Sequence, residues 1–176
     1  MDEPEPAVIR AAMAGDRAAF EEIVRTYQVQ VWSFLTRLVA DRTLAEDLTQ
    51  ETFIRVYRRL PTFAFRSKFS TWLLQVARNT GIDGIRARAR RDRLMTRTQP
   101  PRPVAPADSG SDLTAGVAAL SPKLREALLV VEILGLSYRE AAQVFGVPEG
   151  TVKSRVADAR QRLLAWMATE GAADEV

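Results

Sequence analysis

Apolar side chains recur at helical spacing over most of this chain. Phe20, Ile23, Val24, Tyr27, Val31, Phe34, Leu35 and Leu38 fall mostly at i, i+3 and i+4, which predicts a long core helix with Asp16 as its N-cap. A short helix over Ala7 to Met13 precedes it. Thr43 and Glu46 have capping-box spacing and predict a helix from about Leu44 to Leu60. Its apolar stripe is Leu48, Thr52, Phe53, Val56 and Leu60, which leaves Ile54 exposed among charged residues. Pro61 stops it, and TFAFRSKF (Thr62 to Phe69) is a loop mixing aromatic with basic residues. Ser70 is then the expected cap of a helix carrying Trp72, Leu73, Leu74, Val76, Ala77, Ile82 and Ile85, which runs out into RARARRDR.

The periodicity lapses from Thr98 to Asp112, where Pro, Ala, Ser, Gly and Asp dominate and four prolines keep the chain semi-extended. This predicts a flexible linker over 98–112 between a domain over 1–97 and another over 113–170. Beyond it Leu113 to Leu120 is weakly helical, and Ser121-Pro122 is a suitable N-cap and first-turn pair. A helix over Lys123 to Leu134 would then bury Leu124, Ala127, Leu128, Val131 and Leu134.

The last periodic stretch is Gly135 to Leu164. Ser137 with Glu140 is a capping box, Gly146 suits a left-handed C-terminal position, and Pro148 suits the first turn of the next helix. In that second helix Val152, Val156, Ala159 and Leu163 form the buried stripe. Its other side presents Gly150, Lys153, Ser154, Ala157, Asp158 and Gln161, flanked by Arg155, Arg160 and Arg162. The fold class is therefore all-α, with two small helical domains of which the C-terminal one is a helix-turn-helix. Small and basic residues on such a helix can enter a major groove. The competing reading is a helical hairpin with a solvated basic face.

Charge adds to this picture. The net +3 hides a segment from Arg55 to Arg97 with twelve Lys or Arg against two Asp, a local +10, so the remainder is net acidic. Such a concentration points to a polyanion, nucleic acid ahead of a membrane surface, with a solubilising helix face as the alternative. In the loop at Thr62 to Phe69, aromatic faces can stack on unpaired bases while Arg and Lys track phosphate. There is no Cys and no His, which removes thiol nucleophiles, thiolate sites, the commonest general base and the commonest metal ligand. Glu21 and Glu22 are adjacent on a helix and do not share a face. A metal site on Glu46, Asp47 and Glu51 would lack the His partners of helical di-metal centres. No metal, cofactor or catalytic activity is expected. No apolar run approaches the ~20 residues of a membrane span, and MDEPEP is acidic where a secretory signal is basic, so a cytoplasmic protein without membrane insertion is expected.

Three stretches together carry a family resemblance: AEDLTQETFIRVYRRLPTF (Ala45 to Phe63), STWLLQVARNTGIDGIR (Ser70 to Arg86) and LSPKLREALLVVEILGLSYREAAQVFGVPEGTVKSRVADARQRL (Leu120 to Leu163). In this order they resemble the extracytoplasmic-function (ECF, group 4) sigma factors of the sigma-70 family. That resemblance implies a dissociable, non-catalytic subunit that confers promoter recognition on core RNA polymerase. The helix matching Ala45 to Leu60 would dock on the clamp coiled coil of the largest polymerase subunit, through Asp47, Gln50, Glu51, Ile54 and Arg55. The aromatic-basic loop and the next helix would capture a base flipped from the minus-ten element, using Phe63, Arg66, Lys68, Ser70, Trp72, Arg78 and Asn79. The recognition helix would read the minus-thirty-five element with Glu149, Thr151, Lys153, Ser154, Arg155, Ala157, Asp158 and Arg160. Lys153 and Ser154 would lie nearest the bases, and Arg155 and Arg160 nearer phosphate. The chain departs from the family pattern at Ala157 and Asp158, where a basic or aromatic pair is common. The family also implies an anti-sigma partner. An autonomous helix-turn-helix regulator is the alternative, but it has no use for the block from Leu44 to Phe69. A carboxylate-dependent enzyme is a third reading.

Overall fold

The computed structural model describes residues 3–95 and 112–171. The chain divides into two compact units, Met1–Pro103 and Val104–Val176. The described residues contain helices and no strand. The segment expected as a linker lies outside them, except for Asp112, where a helix begins.

The N-terminal unit holds α1 (Pro6–Met13), α2 (Arg17–Val39), α3 (Arg42–Arg59), a 3-10 turn (Leu60–Thr62) and α4 (Phe69–Met95). Asp16 caps α2 as its spacing predicts, accepting from the Ala18 and Ala19 N–H groups at 2.8 and 3.1 Å. The expected stripe of α2 is buried at Ile23, Tyr27, Val31, Phe34, Leu35 and Leu38, whereas Phe20 and Val24 stay half-buried at its edge. From α3, Leu48, Thr52, Phe53 and Val56 join this core, with Leu60 just beyond.

Two helix starts differ from expectation. Asp41, not Thr43, caps α3, with its Oδ1 2.9 Å from the Leu44 N–H. Its other oxygen pairs with Arg88 of α4, so a long-range partner selects between two nearby capping residues. The Leu44 N–H, and behind it Arg88, hold the Asp41 carboxyl below its ordinary pKa although partial burial opposes them. Ser70 does not cap α4 but lies buried in its first turn. The carboxylate of Glu3 takes that place: Oε2 accepts from the Phe69 N–H at 2.9 Å, and Oε1 from the Ser70 N–H at 3.1 Å and from the Ser70 hydroxyl.

Two glycines let α4 lie close to its neighbours. A Cβ on Gly81 would fall 2.7 Å from Leu38 Cδ2, and one on Gly84 would fall 2.7 Å from Leu48 Cδ1. We expect Gly84→Val to destabilise the N-terminal unit by about 1–3 kcal/mol, since overpacking outweighs the few tenths gained from helix propensity. Urea unfolding measures this, and an unchanged midpoint would show that Leu48 swings aside without cost.

The C-terminal unit comprises α5 (Asp112–Ala119), α6 (Pro122–Leu128), a π-helical turn (Leu129–Ile133), α7 (Tyr138–Phe145) and α8 (Glu149–Gly171). The continuous helix expected over Lys123 to Leu134 is thus broken after one α-helical stretch. The Leu134 N–H donates to the Leu129 carbonyl at 3.0 Å, five residues back. That extra residue buries Leu129 and Val130, and leaves Val131 and Leu134 half-buried where the α pattern would have sunk them. Arg125 is partly buried and donates to the Val117, Ala118 and Leu120 carbonyls, closing the end of α5.

In the helix-turn-helix, Ser137 and Glu140 form the full capping box, and Gly146 ends α7 at φ +64°. Pro148 sits one position earlier than predicted: it precedes α8, and its carbonyl accepts from Thr151 and Val152. Val152, Val156 and Ala159 are fully buried and Leu163 half-buried.

Candidate functional site

The loop 63–68 folds over an aromatic cluster. The Phe63 ring centroid lies 4.8 Å from that of Phe65, 5.6 Å from Phe69 and 5.2 Å from Trp72. Phe63 is itself buried, so it anchors the loop rather than offering a free stacking face. The exposed ring is Phe65, 43% accessible, held by a left-handed backbone (φ +54°) with the Arg10 guanidinium 5.5 Å above it. Arg66 and Lys68 are exposed, while Ser70 is buried against Glu3 and does not face solvent as a ready donor. Trp72 and Arg78 are half-buried, and Asn79 is exposed with its Oδ1 3.5 Å from Arg78.

Trp72, Gln75 and Asn79 stand at i, i+3 and i+7 and share one face of α4. Gln75 and Phe65 are absent from the sequence-derived set. The signal for Gln75 was its helical phase with Trp72 and Asn79. Nothing in the loop's residue pattern separates exposed Phe65 from buried Phe63.

On α3, Asp47, Gln50 and Ile54 are exposed along one face, and Ile54 keeps 45% of its surface accessible. Glu51 and Arg55 are half-buried beside them. Arg55 spans two carboxylates, Glu51 at 2.8 Å and Asp83 of α4 at 2.9 Å, and these hold its pKa above the ordinary value. Arg55, expected at the docking face, is thus already engaged in bracing α3 against α4. Next to this face a groove of about 310 Å³ opens between α2 and α3, lined by Gln28, Val29, Trp32, Glu46, Thr49 and Gln50. Val29 and Trp32 were missed in the sequence; an exposed Val on the polar side of α2 was the available signal.

The outer face of α8 carries Lys153, Ser154, Ala157 and Asp158, all exposed, with Glu149 and Thr151 at its start. Lys153 Nζ lies 2.9 Å from Glu149 and 5.8 Å from the centre of the Tyr138 ring. The two arginines differ from their expected setting. Arg155 is turned inward, its side chain 19% exposed and 3.8 Å from Glu126, which is buried. Arg160 is exposed but paired with Glu132 from the π turn, which raises its pKa further. Among the described residues no group of acidic side chains could hold a metal ion, and no helix is long and apolar enough to cross a membrane.

Residues 23–91 match the family model of sigma-70 region 2, and residues 112–163 match that of sigma-70 region 4. Two helical units in that order, the second a DNA-binding helix-turn-helix, define a sigma-70 transcription initiation factor. The chain is 41% identical over 171 residues to the ECF RNA polymerase sigma factor SigC of Mycobacterium tuberculosis, covering 93% of this chain and 91% of that one. It is 34% identical over 152 residues to the ECF RNA polymerase sigma factor SigM of Bacillus subtilis, covering 82% and 93%. The sigma factor RpoE from Bartonella quintana, solved in complex with the anti-sigma factor NepR, superposes with a TM-score of 0.73 at 28% identity, over 85% of this chain and 96% of that one. The chain belongs to the ECF RNA polymerase sigma factors, which bind core polymerase and direct promoter-specific transcription initiation.

Proposed function

We propose a division of that work between the two units. Residues 1–97 bind core polymerase through Asp47, Gln50, Glu51 and Ile54 and hold the opened minus-ten strand on Arg66, Lys68, Trp72, Arg78 and Asn79. Residues 113–170 read the minus-thirty-five element, and 98–112 tether the two. The observation that carries this reading is the contrast between two faces of the first unit. The exposed face of α3 is acidic and apolar at Asp47 and Ile54, which suits a protein partner and repels phosphate. Around the α4 start Arg66 and Lys68 are exposed cations and Phe65 an exposed ring, a combination that suits single-stranded DNA. Phe63 and Ser70 support the second face from beneath. Extruding a base costs a few kcal/mol, which stacking and hydrogen bonding on such a face offset.

In the second unit Lys153, Ser154 and Thr151 meet base edges or nearby phosphates, with Glu149 fixing the Lys153 ammonium between contacts. Arg155 orients α8 from within, and Arg160 reaches phosphate only by leaving Glu132. Asp158 accepts a hydrogen bond from a cytosine amino group, the base donor with which carboxylates pair in the major groove. The protein works in the cytoplasm, without catalysis of its own, and an anti-sigma partner binds it, as the anti-sigma factor NepR is found in complex with RpoE.

Footprinting with reconstituted polymerase tests the division. Wild-type chain with core should protect both promoter elements, and Lys153→Ala should weaken upstream-element affinity about 5- to 10-fold while core binding holds. Equal occupancy of the promoter by the chain alone, with no initiation on adding core, would instead establish an autonomous regulator.

A further inference from the structure

The first turn of α4 is already engaged, and by an unexpected group. Its leading N–H groups, on Phe69 and Ser70, both donate to the Glu3 carboxylate, as does the Ser70 hydroxyl. A second contact comes from the same N-terminal segment, where Arg10 of α1 lies over the exposed Phe65 ring. Residues 3–10 thus touch the aromatic-basic loop at Phe65 and again where it enters α4. Glu3 lies three residues before the start of α1, and Ile9 and Ala12 bury α1 in the core. That short tether keeps the carboxylate at a high effective concentration beside α4.

The chemistry of this contact is that of an anion on a helix start, where unpaired N–H groups and the helix dipole favour negative charge. A phosphate or base oxygen of a strand entering between Arg66, Lys68 and Trp72 would compete for those same donors. It also meets the negative charge of Glu3. We propose that Glu3 is an internal competitor for the minus-ten strand: it holds the α4 N-terminus in the free protein and is displaced when the opened strand binds. The inference rests on the minus-ten role given to this face above. The competitor sets a threshold, since a weakly matching strand fails to displace it.

The test uses holoenzyme reconstituted from core polymerase and the full chain. The probe is a labelled single-stranded oligodeoxynucleotide copying the non-template minus-ten region of a promoter footprinted by wild-type holoenzyme. Glu3→Gln keeps one acceptor oxygen, enough for one of the two N–H groups, and removes the charge, and Glu3→Ala removes both. Each should bind the probe about 3- to 10-fold more tightly than wild type. Unchanged or weaker binding by Glu3→Gln, with an unaltered thermal midpoint, overturns the proposal and leaves Glu3 a structural cap. Asn79→Ala separates this from failure of the underlying reading. If Asn79→Ala binds the probe as well as wild type, the minus-ten assignment fails. If it binds weakly while Glu3→Gln gains nothing, only the competitor fails.

Discussion

Ile54→Asp is expected to weaken assembly with core polymerase by about 100-fold while leaving the free protein folded. Ile54 stands in the middle of the exposed α3 face, between Gln50 and Arg58, with nearly half its surface in water. Docking would bury that remainder, and a central apolar anchor of an interface costs about 2–4 kcal/mol when truncated. A carboxylate adds the penalty of an unpaired charge in a desolvated contact. In the free chain the same change meets solvent, and an exposed Asp in a helix costs only a few tenths of a kcal/mol against Ile. Competition for fluorescently labelled core gives the first quantity, and urea unfolding gives the second. Wild-type assembly by the variant would remove α3 from the docking surface.

The second large effect is expected inside the C-terminal unit. Glu126 is 3% exposed and faces Arg155 across α6 and α8. Removing the carboxylate in Glu126→Ala leaves a guanidinium with little water to replace its partner. Breaking a buried pair costs about 3–5 kcal/mol, and the partial exposure of Arg155 brings the expectation to about 2–3 kcal/mol. Amide exchange along α7 and α8 should accelerate by a factor of roughly 30–150. Upstream-element binding should fall with it, because the pair sets how α8 sits on α6. Unchanged exchange would show that the ion pair contributes nothing to the unit.

The contrast between these residues marks what was legible before the structure. Ile54 breaks the polar run of one helix face, and a 3.6-residue period shows that without a partner in view. Asp16, Ser137 with Glu140, and Gly146 act within a turn of their own helix, so spacing alone located them. The family resemblance rested on such local signals in order. What escaped depended on distant partners. Thr43 and Asp41 are comparable caps by local rule, and Arg88, 47 residues away, favours Asp41. Ser70 has the right residue type for a cap, but Glu3 is 66 residues from Phe69 and supplies a charged acceptor instead. Arg155 and Arg160 looked alike on a helical wheel, yet buried Glu126 draws one inward and exposed Glu132 holds the other at the surface. A helical period gives the direction of a side chain and says nothing of the charge waiting there.

The π turn at Leu129–Ile133 gives chain length a part in orienting the helix-turn-helix. An α-helix advances about 100° per residue, and the wide turn inserts one residue without lengthening the helix by a full step. Its consequence is angular: everything after Leu134, including the turn into α7, is carried in a phase that an uninterrupted helix would miss. Glu132 meets Arg160 in that phase. The count of residues between Pro122 and Ser137 therefore acts as a setting for the bearing of α8, separate from the identity of any residue on its exposed face.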